Sequence, residues 1–282
     1  MIVTLVCTGL ALLCFATNSI LCRLALGGHL IDPASFTCIR VASGVAVLWA
    51  VRSARRGGGA PARGWIAPAM LFLYAAGFSF AYTSLGAGTG ALILFGAVQS
   101  TMLVAALRAG ERFRRLEALG LALAVAGLLA LLVPGWSAPA PLGWALMTLA
   151  GVAWGVYSLV GRGSSDPLAD TAQNFVLALP PAVVMTALAW PHHHATMRGV
   201  ELAAASGALT SGLGYVVWYQ ALRRLAAIRA ATVQLAVPAI AATGGVVFLG
   251  EQLTARLMLC GAMILGGVAV AIARSARPSA PR

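Results

Sequence analysis

Ten apolar runs, most of about 18 residues or more and separated by short Arg- or Gly/Pro-containing breaks, limit this chain more than any other feature of its sequence. A run of that length crosses the roughly 30 Å hydrocarbon core of a bilayer as a helix. The runs are 2–22, 33–51, 66–84, 88–107, 117–133, 142–161, 171–190, 202–222, 230–249 and 257–273. The chain is 60% hydrophobic and only 9% charged, well outside the soluble range, where about a quarter of residues are charged. Helices follow, because within lipid the backbone must satisfy its own hydrogen bonds. The first run lacks an Arg-rich start and a small-residue cleavage site, so it reads as a retained helix rather than a signal peptide.

The basic residues set the expected orientation. All nineteen are Arg, and the absence of Lys excludes a Walker lysine, a Schiff base and lysine general-base chemistry. The net charge of +12 does not point to nucleic acid, because the arginines are dispersed over short loops. With a cytoplasmic N-terminus, fifteen arginines fall on the cytoplasmic side and three (Arg23, Arg198, Arg256) on the other, with Arg40 inside a run. That bias places both termini inside and agrees with an even number of spans. The five cysteines contain no C-x-x-C pair and read as small core residues.

An internal repeat is also visible. Phe15-x3-Ser19-x3-Arg23 returns as Trp154-x3-Ser158-x3-Arg162, Asp32-Pro33 returns as Asp166-Pro167, and Gly110-Glu111 returns as Gly250-Glu251, each about 140 residues later. A unit of five helices is odd, so its second copy enters the membrane from the opposite side, giving an inverted repeat of the kind found in secondary transporters. The expected architecture is an all-α integral membrane protein of ten transmembrane helices in two inverted five-helix repeats, residues 1–137 and 138–282, with both termini cytoplasmic.

Asp32-Pro33 to Arg40, Tyr82-Thr83-Ser84-Leu85, Gly110-Glu111, Trp154 to Arg162, and above all Trp218-Tyr219-Gln220-Ala221-Leu222 to Gly250-Glu251 resemble the EamA-type branch of the drug/metabolite transporter superfamily. The resemblance covers essentially the whole chain and is most specific from Gly212 to Thr254. It implies a bacterial inner-membrane location and export of small organic solutes such as amino acids. The fourth run has Gln99 where that family often has a proline, whereas the ninth keeps Pro238, so an asymmetric pocket is expected.

Polar and aromatic residues at mid-span depth are the functional candidates, since polar groups in hydrocarbon normally face the bundle interior. Gln99 offers a buried amide to a solute or to a neighbouring helix. Pro238 removes a backbone donor and frees a carbonyl near Gln234, which serves either solute coordination or a packing kink. Pro180 and Pro181 read as a hinge. Trp154 and Tyr157, Tyr215, Trp218 and Tyr219, and Tyr74 and Phe78 recur at helical spacing, so each set shares a face that suits an aromatic-lined pocket or an ordinary core. Arg40 is the one charged residue deep in a run, and it either pairs with a solute carboxylate or snorkels to carbonyls. Asn18 and Asn174 lie near the same depth. The substrate-binding set is therefore Asn18, Arg40, Gln99, Trp154, Tyr157, Trp218 and Gln234.

Glu111 and Glu251 lie at run ends, where capping of the following helix or pairing with nearby Arg is expected. With every other acidic residue in a loop or at a helix end, no buried carboxylate suggests itself as a proton carrier. His192-His193-His194 reads as a solvated loop rather than a metal site, and no cofactor is expected. The expected partners are a small-molecule solute and membrane lipid, not nucleic acid, and small residues such as Gly120, Ala124, Ala262 and Gly266 suit close helix packing or a homodimer. The function these features indicate is transport of a small amphipathic metabolite, with a non-transporting structural or signalling membrane protein, or less favourably an intramembrane enzyme, as the alternatives.

Overall fold

The computed structural model describes residues 2–55, 64–108, 115–130, 140–161, 164–222 and 233–275. Their main elements are α1 (Ile2–Gly27), α2 (Pro33–Ala54), α3 (Ile66–Ala81), α4 (Ala87–Arg108), α5 (Arg115–Ala130), α6 (Pro141–Gly161), α7 (Pro167–Leu188), α8 (Met197–Ala205), α9 (Gly214–Leu222), α10 (Ala236–Leu249) and α11 (Ala255–Ser275). A π-helical segment, Ser206–Leu213, joins α8 to α9 without a break, so the described residues form ten helical spans. Among these residues the only β pairing is an isolated antiparallel bridge between Ile31 and Ala195. Five helical stretches are long and apolar enough to cross a membrane by themselves: Leu5–Gly27, Pro33–Ala54, Pro141–Gly161, Pro167–Leu188 and Met197–Trp218. The others are shorter apolar helices. The protein is a multi-pass membrane protein.

Local chemistry sets several boundaries. Asp32 caps α2 by accepting from the Ser35 N–H at 2.8 Å, and Asp166 caps α7 by accepting from the Ala169 N–H at 3.3 Å. In both, proline follows at the first helical position, where a missing N–H costs nothing. Helix α7 therefore begins four residues before its expected start. Helix α3 stops at Ala81 rather than 84 because Thr83 and Ser84 turn their hydroxyls back onto the carbonyls of Phe80 and Ala81, a local competitor to the helical ladder. Gly250 ends α10 in the left-handed conformation, with φ of 65°, which glycine adopts without steric cost.

Helix α6 packs on α3 and α4, α1 packs on α10 and on the α8–π–α9 span, and α2 packs on α7, on α8 and on the π segment. Helix α7 also contacts α3, α4 contacts α10, and α5 pairs with α11. Most buried apolar side chains form one core cluster through the centre of this bundle. Gly207 permits the closest approach, since a Cβ there would collide with the Arg40 carbonyl and the Ser43 hydroxyl. Glu111, residues 134–139, and Arg223, Arg224 and Arg229 lie outside the described residues, as does the side chain of Tyr219.

Candidate solute-binding site

Six rings converge at the centre of the bundle. Trp154 of α6 lies 4.8 Å from Tyr74, 5.1 Å from Tyr215, 5.4 Å from Tyr157 and 6.5 Å from Phe15, measured between ring centroids. Tyr74 continues along α3 to Phe78 at 5.3 Å. These contacts link α1, α3, α6 and α9, so the aromatic cluster fastens helices from both parts of the chain. Tilted and edge-on pairs of this kind contribute about 0.5–1.5 kcal/mol each beyond their area.

Inside the cluster is a cavity of ≈ 20 Å³, room for about one water-sized sphere. Phe15, Tyr74, Phe78, Phe95, Trp154 and Tyr215 give it aromatic walls, and Asn18, Ser19, Thr210 and Ser211 give it polar ones. Asn18 fixes the polar side: its Oδ1 accepts from Ser206 Oγ at 2.6 Å and from Thr210 Oγ1 at 3.0 Å, tying α1 to the π segment.

Arg40 stands immediately behind this wall and is 2% exposed. It donates from Nη2 to Tyr74 Oη at 2.9 Å and from Nε to Ser211 Oγ at 3.2 Å. Its guanidinium carbon lies 5.1 Å from the Tyr74 ring centre and 5.0 Å from that of Phe78, within cation–π range. Among the described residues no carboxylate pairs with it, and Nη1 is buried without a hydrogen-bond partner. Hydroxyls and ring faces thus hold a charge whose burial ordinarily demands an anion.

The sequence candidates occupy different positions around this centre. Asn18 and Trp154 line the cavity, while Tyr157 packs on Trp154 with Asn174 Nδ2 3.5 Å from its hydroxyl. Trp218 is buried behind Phe15, 5.7 Å away, in a satellite cluster with Ala11 and Ala221. Gln99 is 2% exposed on α4, one turn beyond the cavity residue Phe95. Gln234 is half-buried and outside the cavity wall. Pro238 sits in the first turn of α10, and the helix is interrupted at Leu235, inside the turn where the missing 238-to-234 hydrogen bond would lie. Pro180 and Pro181 lie within an unbroken α7.

Ser19, Thr210 and Ser211 also line the cavity and are not among the sequence candidates. The available signal was the density of small polar residues from Ser206 to Ser211, which in a span marks either close packing or a polar face. The π segment itself has no reliable sequence signature.

The two ends of the bundle are closed differently. At one end Glu251 accepts the Ala87 N–H on both oxygens, at 2.8 and 2.9 Å, and pairs with Arg23 at 3.5 Å. Arg23 in turn donates to the carbonyls of Tyr82 and Thr83. Glu251 therefore caps α4, a helix distant in sequence, rather than the helix that follows it. Arg256 instead donates to the Ala130 carbonyl at the end of α5.

At the same end Asp32 Oδ2 lies 3.3 Å from His193 Nδ1 and accepts the His194 N–H, and Thr196 donates twice to the Leu30 carbonyl. His193 also stacks on Trp190 at 4.6 Å, so the histidine run is partly docked rather than wholly solvated. Burial raises the Asp32 carboxyl, but the Ser35 and His194 N–H groups and the neighbouring His193 outweigh it and hold the carboxyl below its ordinary value. The opposite end is held by Arg55 Nη1 to Asp166 Oδ1 at 3.0 Å, with the Arg55 side chain 43% exposed. Beside this pair opens a vestibule of ≈ 270 Å³ that reaches Val216 and Gln220 of α9.

Comparison with known proteins agrees with this architecture. A crystal structure superposes with a TM-score of 0.63 over 95% of this chain and 99% of that one; at 22% identity it shows the fold. The uncharacterized protein PA1977 of Pseudomonas aeruginosa is 52% identical over 285 residues, covering 98% of each chain. The model of the EamA-like transporter family matches residues 141–273. The match falls on the helices that carry Trp154, Thr210, Ser211 and Tyr215, and the chain belongs to the EamA-like transporter family, part of the drug/metabolite transporter superfamily.

Proposed function

We propose that this membrane transporter moves a small amphipathic metabolite, such as an amino acid, out of the cell by alternating access around the Trp154 cavity. The observation that carries the reading is the cavity itself: a ring of aromatic walls with a polar edge at Asn18 and Ser211 and a buried cation behind it. Aromatic area with a few fixed polar groups is how small-molecule sites combine affinity with orientation. At ≈ 20 Å³ the cavity is too small for a metabolite, so in this reading the structure is the closed state and one end must part for a solute to enter.

The helix packing supports an inverted repeat. If α1, α2, α3, α4 and α5 correspond to α6, α7, the α8–α9 span, α10 and α11, then the α6–α3 contact maps onto α1 with α8–α9. In the same way α6–α4 maps onto α1–α10, and α7–α3 onto α2–α8. The α2–α7, α4–α10 and α5–α11 pairs map onto themselves. The two halves would then rock about an axis through the central cavity. With both termini cytoplasmic, the Arg55 end faces the cytoplasm of a bacterial inner membrane. Asn18, Arg40, Trp154 and Tyr157 lie closest to the proposed solute, with Gln99, Trp218 and Gln234 as outlying members of the site. Pro180, Pro181 and Pro238 supply bending points.

The test is flux in proteoliposomes loaded with a mixed pool of amino acids and organic acids. The protein should release at least one component, and Trp154→Ala and Asn18→Ala should each lower that flux by about tenfold or more, the loss of roughly 1.4 kcal/mol or more of solute binding, with folding retained by thermal melt. Unaltered flux in both variants would remove the site, and no flux from wild-type protein would remove the function.

A further inference from the structure

The charge inventory around the cavity narrows the solute. Arg40 brings one positive charge to the centre of the bundle, and its three holding residues, Tyr74, Phe78 and Ser211, all line the cavity. The guanidinium is thus one side chain from the cavity. A guanidinium has five N–H donors, and here hydrogen bonds from Nε and Nη2 are made while Nη1 has no acceptor. The acceptors present are neutral, so the charge itself is spread but not cancelled.

The carboxylates whose side chains the structure describes are placed elsewhere; the side chains of Glu111 and Glu117 lie outside the described residues. Asp32 caps α2 eight residues before Arg40, about 12 Å along the helix axis, and is held by His193. Asp166 is held by Arg55, Asp170 by the Ser164 hydroxyl, and Glu251 by Arg23 and α4. Glu201 is exposed. None lines the cavity. An ammonium group entering it would meet no carboxylate among the described side chains, and Asn18 Oδ1, the amide oxygen in the wall, already accepts two hydrogen bonds.

We propose that the solute is an organic monoanion, a carboxylate on an apolar or aromatic body without a compensating ammonium, and that Arg40 takes the carboxylate. Such a solute makes the cavity neutral, offers planar oxygens to the free side of a planar guanidinium, and lays its body against the ring of aromatics. A zwitterion would leave the site carrying a net positive charge, and a dianion a net negative one, each costly in a low-dielectric centre. This inference rests on the transporter reading of the same cavity but replaces the amino acid with its de-aminated counterpart.

A matched series tests it, since 3-phenylpropanoate, phenylalanine and 2-phenylethylamine share a body and differ in charge. Full-length protein in lipid nanodiscs is titrated with each, and binding is followed by tryptophan fluorescence and by the rise in melting temperature. The propanoate should bind roughly 10- to 100-fold more tightly than the other two, the range expected from a hydrogen bond to a charged group. Arg40→Gln should abolish the preference and Arg40→Lys should restore part of it. Equal or tighter binding of phenylalanine or phenylethylamine, no binding by any of the three, or competition by chloride alone would each overturn the proposal. The charge series on wild-type protein decides the matter even if Arg40→Gln does not fold. Propanoate binding without movement across liposomes would sink the transporter reading and leave the anion site standing; movement with no preference for the carboxylate would do the reverse.

Discussion

The two ends of the α2–α7 pair use the same device with unequal strength. Each helix begins with an Asp cap and a proline, and each cap is engaged by a nitrogen-bearing side chain near the far end of the partner helix: the His193 ring beyond α7 for Asp32, and Arg55 at the end of α2 for Asp166. At the His193 end this contact is one of several, joined by the Glu251 cap on α4, the Arg23 pair and the Leu30–Thr196 bonds. At the Arg55 end it is flanked by an open vestibule and a half-exposed arginine. Exposed ion pairs contribute about 0–1 kcal/mol, whereas a carboxylate on the N-terminus of a helix gains from hydrogen bonds and from the dipole together. One end is therefore clamped and the other only latched, and the latched end opens at lower cost.

The largest test of that contrast is Glu251→Ala. It leaves the Ala87 N–H without its acceptor and Arg23 without its carboxylate and should destabilise the protein by about 2–3 kcal/mol, measured by thermal unfolding in detergent; a change no larger than that of Arg55→Gln would erase the distinction between clamp and latch. Asp32→Ala comes next, losing a cap, the His194 bond and the His193 contact for about 2 kcal/mol. Asp166→Ala should cost nearer 1 kcal/mol, because its cap bond is longer and the arginine of its ion pair is half-exposed.

The Asp32 contribution also carries a pH signature. Its folded-state pKa lies below the ordinary value of 3.8, so its stabilisation is fully present above that value and is lost as pH falls through the folded-state pKa. Unfolding midpoints of the wild type and of Asp32→Asn, followed from neutral pH downward, should converge below about pH 4. The smallest effect is Arg55→Gln, a few tenths of a kcal/mol at low salt that disappears near 1 M. Persistence at high salt would promote this contact from latch to clamp.

How much of this was legible in the sequence depended on the length scale of the physics. Ten apolar runs were enough for the spans, because bilayer thickness fixes helix length whatever the tertiary context. The paired Asp-Pro motifs were visible, but that Asp32 meets His193 was not, since this contact depends on how α2 and α7 lie against each other. The sequence allows Glu251 to cap the following helix or to pair with a nearby Arg such as Arg256; it caps α4 and pairs with Arg23 instead, because the left-handed turn at Gly250 directs it across the bundle. Arg40 and Trp154 stood out as a lone charge and a spaced aromatic. Ser211 and Thr210 did not, because small hydroxyl residues in a span are as common in packing seams as in polar walls, and the π segment that aims them leaves no periodicity of its own.

That segment has a consequence for how the protein tolerates change in length. In an α-helix one inserted or deleted residue rotates everything beyond it by about 100°, so such a change between Trp154 and Tyr157 of α6 would swing the two rings apart. Between Ser206 and Leu213 the backbone already runs in wider turns, and the loss of one residue can be taken up by tightening eight residues toward α-helical pitch. Tyr215 and Trp218 would keep their facing toward Phe15. Of the ten spans, the one that contributes Thr210 and Ser211 to the polar wall of the cavity is the one best able to absorb such a shift.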